Sequence, residues 1–93
     1  MAESNHFALH LERYLKTLSQ QGKSQHTVSA YRRDLSELMR LLPDNLKNGL
    51  PTRRDFVAAL KKLSQKGLSE SSLARKLSAW RQYCSWLVQI EVM

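Results

Sequence analysis

The chain has a single cysteine, Cys84. That excludes an internal disulfide and any zinc site built from several thiolates, and it fits a reducing cytosol. Long apolar runs are also missing. The longest, Phe56 to Leu60, is far too short for a membrane span. Residues 1–10 carry Glu3 and lack the apolar stretch of a secretion signal, so a cytoplasmic location away from membranes is expected. With two prolines, three glycines and no low-complexity segment, little breaks up regular structure. Length excludes more. At 93 residues the chain is expected to form one domain, 1–93, too small for an enzyme with separate cofactor and substrate lobes.

Acidic residues are scarce as well. Eight Asp and Glu face fifteen Lys and Arg, a formal net charge of +7. From Arg13 to Arg81 the count is fifteen basic against five acidic, a net of +10. A small compact domain this basic repels itself unless an anion relieves the charge, and nucleic acid is the commonest such partner. A basic surface without a partner is the competing explanation. The apolar content of 42% is enough for a modest core, so disorder throughout is not expected.

What is present reads as helix. Period and punctuation predict four helices. The first covers about 5–21, with Phe7, Leu11, Tyr14, Leu15 and Leu18 on one face and Glu12–Lys16 as an outer i,i+4 pair. Gly22 ends it and Ser24 caps the second, which runs to Leu42 with Val28, Tyr31, Leu35, Leu38, Met39 and Leu42 in a stripe. Pro43 stops that helix, and a polar loop with an Asn48-Gly49 turn leads to Pro51. Thr52, with Asp55 three residues on, opens the third, whose buried stripe is Phe56, Leu60 and Leu63, helped by Val57 and Ala59. Gly67 ends it, and Ser69 caps the fourth, with Leu73, Leu77, Trp80, Cys84, Leu87 and Val88 expected inward. The short Gly-x-Ser links predict an all-α four-helix bundle of two crossed helical hairpins.

Candidate contact residues follow from the same wheels. On the second helix His26, Arg33 and Arg40 line up opposite the apolar stripe. On the fourth, Ser71, Arg75, Ser78 and Gln82 do so, with Lys76 and Arg81 flanking the stripe. Arg and Gln can read base edges, while Ser and Thr suit phosphate oxygens. Both helices also open with hydroxyls, Ser24 and Thr27 in one and Ser69, Ser71 and Ser72 in the other. Free N–H groups at a helix start favour phosphate, although Ser24 and Ser69 serve as caps and Glu70 opposes an anion there.

The late fourth helix adds Ala79, Tyr83, Trp86 and Ile90 on another side. Either Trp86 and Ile90 form a partly exposed patch that docks a further domain or protomer, or the first helix covers them. His6 and His10 stand one turn apart, but without a third ligand no metal site is assigned. No phosphate-binding glycine loop, nucleophile triad or catalytic carboxylate pair occurs, so no cofactor is expected. Tyr14, Tyr31 and Tyr83 read as core, and Cys84 as a small buried hydrophobe.

Two runs carry a family resemblance. Ser24-Gln25-His26-Thr27-Val28-Ser29-Ala30-Tyr31-Arg32-Arg33-Asp34-Leu35 resembles the S-x-x-T-x-x-x-Y-x-x-D-L signature of the N-terminal core-binding, SAM-like domain of tyrosine recombinases. Gly67-Leu68-Ser69-Glu70-Ser71-Ser72-Leu73-Ala74-Arg75-Lys76-Leu77-Ser78-Ala79-Trp80-Arg81 resembles the last helix of the same domain. With the helix order, the resemblance covers nearly the whole chain, and the ending Arg81 to Val88 is most similar to the Xer chromosome-dimer-resolution branch.

The resemblance implies one jaw of a clamp on double-stranded DNA, its second and fourth helices approaching the major groove. The other jaw would be a C-terminal catalytic domain, absent from this sequence, where an Arg/His/Lys set activates the phosphate and a Tyr attacks it. Recombinase protomers, paralogous or identical, would then assemble into a tetrameric synapse on a recombination site. By position the DNA-facing roles fall on Ser24, Thr27, Arg33, Ser71, Ser72, Arg75, Lys76, Ser78 and Arg81. Tyr31, Asp34, Leu73 and Leu77 also match, as packing or helix-stabilising residues. Trp80 departs from the small or aliphatic residue usual there. A helical protein-interaction module with incidental charge, contacting through Trp86 and Ile90, is the alternative.

Overall fold

Hydroxyl caps, glycines and a proline divide the chain into helices much as the punctuation predicts. The computed structural model describes residues 6–43, 46 and 49–93. The expected start at Asn5 and the Asn48 half of the Asn48-Gly49 turn lie outside them. Five helical segments follow one another: α1 (His6–Leu9), α2 (Leu11–Gln20), α3 (Gln25–Leu41), α4 (Arg53–Gln65) and α5 (Glu70–Gln89). Segments α1 and α2 are the first expected helix, broken at His10 (φ −98°, ψ 6°). The break has a local cause. The Phe7 carbonyl, which would take the Leu11 N–H in an unbroken helix, accepts a hydrogen bond from the Tyr83 hydroxyl instead. Among the described residues there is no strand.

The caps are as the residue types require. Ser24 accepts from the Thr27 N–H at 3.2 Å, and Ser69 accepts from the Ser72 N–H at 3.1 Å. Thr52 and Asp55 form a reciprocal capping box, with the Thr52 N–H donating to Asp55 Oδ2 at 2.7 Å. Leu42 is extended (ψ 152°), as a residue before proline must be, and α3 stops there. After α2 and α4, Gly22 (φ 88°) and Gly67 (φ 89°) adopt the left-handed conformation. The chain then folds back so that the Lys23 N–H reaches the Leu18 carbonyl at 3.1 Å and the Leu68 N–H points to that of Leu63 at 3.5 Å.

These tight links fold α2 onto α3 and α4 onto α5, and the two hairpins cross with α3 packed against α5. The core sits between them. Phe7, Leu15, Leu35, Leu38, Leu63, Trp80, Tyr83 and Leu87 are its largest fully buried side chains. On α2 the expected face is the buried one. On α3, Leu35, Leu38 and Leu42 are buried, while Val28, Tyr31 and Met39 pack at the margin. On α4, Ala59 and Leu63 are buried, but Val57, expected inward, is 48% exposed. The Glu12 carboxylate pairs across the hairpin with Arg32, at 2.5 Å and 3.0 Å, rather than along its own helix with Lys16.

The fourth expected helix, α5, departs most. Its buried residues are Lys76, Ala79, Trp80, Tyr83 and Leu87. The inward face is therefore turned by roughly 80° from the expected one, at 100° per residue. Leu73, Leu77 and Cys84 are only partly buried, and Val88 is exposed. Aromatic packing favours this rotation. Tyr83 meets Phe7 at 5.0 Å and Tyr14 at 5.1 Å between ring centroids, and Trp86 meets Tyr14 at 5.2 Å. The Arg13 guanidinium covers the Trp86 ring at 5.7 Å. Trp86 thus packs partly on Tyr14 of the first helix, and both it and Ile90 are only half-buried, so each keeps some exposed surface.

A side-chain Cβ at position 22 or 67 would meet no neighbour, so the cost of a substitution there is the positive φ alone. Gly22→Ala and Gly67→Ala are each expected to destabilise the fold by about 1–2 kcal/mol. Urea unfolding followed by circular dichroism checks this, and an unchanged midpoint in both variants would contradict the left-handed geometry.

Candidate nucleic-acid interface

The starts of α3 and α5 are built alike. In each, the cap hydroxyl holds the N3 backbone N–H and lies 3.1 Å from the N3 hydroxyl, Ser24 to Thr27 and Ser69 to Ser72. The cap residues Ser24 and Ser69 are exposed, as is Ser71, while Thr27 and Ser72 are half-buried. Where α3 and α5 pack, a shallow groove of about 290 Å³ is lined by Thr27, Ala30, Tyr31, Asp34, Arg75, Ser78 and Ala79. Three of the sequence-predicted contact residues, Thr27, Arg75 and Ser78, meet in this groove. Arg33 stands exposed on the outer side of α3 and makes no ion pair with a described residue. Arg81 is exposed on the other side of α5, beside Phe56, Leu77, Trp80 and Cys84.

Asp34 forms the floor of the groove at 2% exposure. Its Oδ2 accepts from Arg75 Nη1 at 2.7 Å and its Oδ1 accepts from Lys76 Nζ at 2.9 Å. The Lys76 ammonium also lies 2.6 Å from Glu37, one turn along α3. Burial alone would lower the Lys76 ammonium, but hydrogen bonds to Glu37 and Asp34, with their charges, outweigh it and hold its pKa above the usual lysine value. The two cations differ in access. The Arg75 side chain is 52% exposed and the Lys76 side chain 9%.

Lys76 was expected on the DNA-facing surface, and its ammonium is instead buried between two carboxylates. An ammonium costs too much to desolvate without them, and the inward turn of α5 carries it there. Arg75 keeps its expected outward position but is not a free cation. Asp34 and Glu37 were missed as members of the site. One signal was available: Asp34 is a lone acid within the buried stripe of α3, and Lys76 lies one turn before Trp80 on α5.

Other candidates are placed more simply. His6 is exposed and His10 half-buried. Among the described residues no group of three His, Cys, Asp or Glu stands close enough to hold a metal ion. Tyr14 is buried, and burial with the nearby Tyr31 raises its phenol from 10.0 to about 12. Tyr83 is raised further, chiefly by burial. Cys84, partly buried, is pushed by burial from 9.0 to about 11, which leaves a thiol rather than a thiolate at neutral pH. No helix among the described residues is long and apolar enough to cross a membrane.

Two crossed hairpins, with paired hydroxyl-capped helix starts beside a groove that presents Arg75, define a small all-α domain of the SAM-like type. Residues 11–91 match the family model for the phage integrase N-terminal SAM-like domain, and the chain belongs to that family. It is 56% identical over 89 residues to a tyrosine recombinase XerC of Neisseria meningitidis serogroup C, covering 89% of this chain and 29% of the relative. Similarity extends to the Chromobacterium violaceum XerC, 39% over 77 residues (83% of this chain, 25% of the relative). It reaches the Listeria innocua XerC, 33% over 85 residues (88% and 28%). The chain thus spans under a third of the length of these curated relatives. No solved structure matches it.

Removing one partner of a buried ion cluster strands the others, so Lys76→Met is expected to destabilise by about 3 kcal/mol in urea unfolding. A loss under about 1 kcal/mol would mean that Asp34 and Glu37 are satisfied without it.

Tyr14, Tyr83 and Cys84 hold their protons more tightly folded than unfolded, so stability falls as pH rises through their unfolded values. The raised Lys76 acts in the same direction, its contribution complete below 10.5 and lost above its folded value. These groups therefore leave stability unaffected below pH 9.0 and lower it from there towards pH 12. Tyrosinate absorbance from Tyr14 and Tyr83 should rise together with the loss of helical circular dichroism. Ionisation of Tyr14 and Tyr83 in the folded state would contradict their burial.

Proposed function

We propose that this chain is the DNA-gripping, core-binding domain of a site-specific tyrosine recombinase. The observation that carries the reading is the α3–α5 groove, where Thr27, Ser78 and the half-exposed Arg75 converge, with Arg33 exposed on the outer side of α3. Such donors fit the backbone and base edges of a duplex. Ser24, Ser71 and Ser72 at the helix starts extend the surface to neighbouring phosphates, and Arg81 adds a positive charge at its flank. Lys76 contributes by holding α5 against α3. The kinship with XerC chains three times as long supports a parent enzyme in which a further domain performs strand cleavage. Its partners are then the recombination-site duplex, that catalytic domain and further recombinase protomers in a synapse. Resolution of chromosome dimers in the bacterial nucleoid is the setting this reading implies.

Affinity for duplex DNA is expected to fall steeply with salt, because several phosphates lose counterions on binding. Arg33→Ala should weaken binding, lower the log–log salt slope by about 1 and leave thermal unfolding unchanged. Arg75→Ala should weaken binding too, and also lose about 1 kcal/mol of stability through its half-exposed contact with Asp34. Fluorescence anisotropy with a palindromic recombination-site duplex at two salt concentrations measures both. Salt-independent binding, or both variants binding as the parent does, would reject this face.

A further inference from the structure

We propose that Asp34 is a positioning residue for DNA: it sets the Arg75 guanidinium in the α3–α5 groove and fixes the rotation of α5 against α3. The inference rests on the DNA-binding reading above and names how its groove is held ready. Arg75 and Lys76 are consecutive, so their side chains leave α5 about 100° apart. One goes outward and the other inward, and a single carboxylate from α3 meets both, at 2.7 Å and 2.9 Å. A rotation of α5 in either direction breaks one of these bonds. Apolar packing alone does not impose that angle, since Leu73, Leu77 and Cys84 offer a second apolar face on the same helix.

The charge count supports geometry over attraction. Asp34, Glu37, Arg75 and Lys76 sum to zero, so the cluster as a whole adds nothing to the positive field that draws a polyanion. Arg75 nevertheless has five N–H donors and commits Nη1 to Asp34. Held there, a long flexible side chain has lost much of its rotamer freedom before a phosphate or base arrives, and less remains to be lost on binding.

The two roles predict opposite signs for Asp34→Asn. If Asp34 is merely a negative charge near DNA, its removal tightens binding. As a positioning residue, its removal weakens binding by about tenfold despite the added positive charge. The assay is anisotropy with a short mixed-sequence duplex at fixed salt, on chains shown by circular dichroism to be folded at the assay temperature. A cycle with Arg75→Ala separates positioning from general loosening. Asp34→Asn should weaken binding much less once Arg75 is gone, and Asp34→Glu, which keeps the charge, should bind between Asp34→Asn and the parent. If Asp34→Asn does not fold, Asp34→Glu carries the cycle, with weakening expected in the parent and much less in Arg75→Ala. Unchanged or tighter binding by the tested variant overturns the proposal, as does equal weakening in both backgrounds. A parent chain without salt-dependent binding would instead remove the DNA reading itself.

Discussion

The contact between α3 and α5 runs through a carboxylate buried at 2% exposure, and most of what surrounds it follows from the cost of placing Asp34 there. An ionised carboxylate cannot stay in a low-dielectric interior without partners. Arg75 and Lys76 supply them, and the second carboxylate at Glu37 shares the ammonium. This arrangement is not a general source of stability, since well-packed apolar groups can replace a buried ion cluster without loss. Its value lies in direction. Hydrogen bonds to two cations fix which side of α5 faces α3, and the groove bearing Thr27, Arg75 and Ser78 exists only at that rotation.

A second set of interactions holds the same rotation from the opposite end. Phe7, Tyr14, Tyr83 and Trp86 form a layer in which α1 and α2 close over the later turns of α5. The Tyr83 hydroxyl, buried among aromatic rings, needs a partner and takes the Phe7 carbonyl, and the helix breaks at His10 to allow it. The phenols in this layer are core groups with raised pKa values, well separated in role from a nucleophile. The chain so uses its ions at one end of α5 and its aromatics at the other.

Much of this was legible beforehand. The positions of Ser24, Thr52 and Ser69 as caps and of Gly22 and Gly67 as stops followed from local chemistry that acts over a few residues. The faces of α2 and α3 followed from their apolar period. For α5 the period misled, because the helix is apolar on two sides and a wheel cannot rank them. Trp80 and Leu87 belong near the boundary of both, whereas Tyr83 and Lys76 belong to one. The candidate site divided in the same way. Arg33, Ser71 and Ser78 lie on exposed positions as expected, while Lys76, a neighbour of Arg75 in sequence, went inside.

The sequence by itself determined where the helices begin and end, their hairpin pairing, the excess of positive charge and the family. Those depend on contacts within a few residues, on sums over the chain, or on motif residues at fixed spacing. Only the tertiary structure decided which face of α5 is buried, that Trp86 packs on Tyr14, and that Asp34 takes both Arg75 and Lys76. These depend on side chains 41 and 42 positions apart meeting in space, where desolvation of one charge forces the placement of the next.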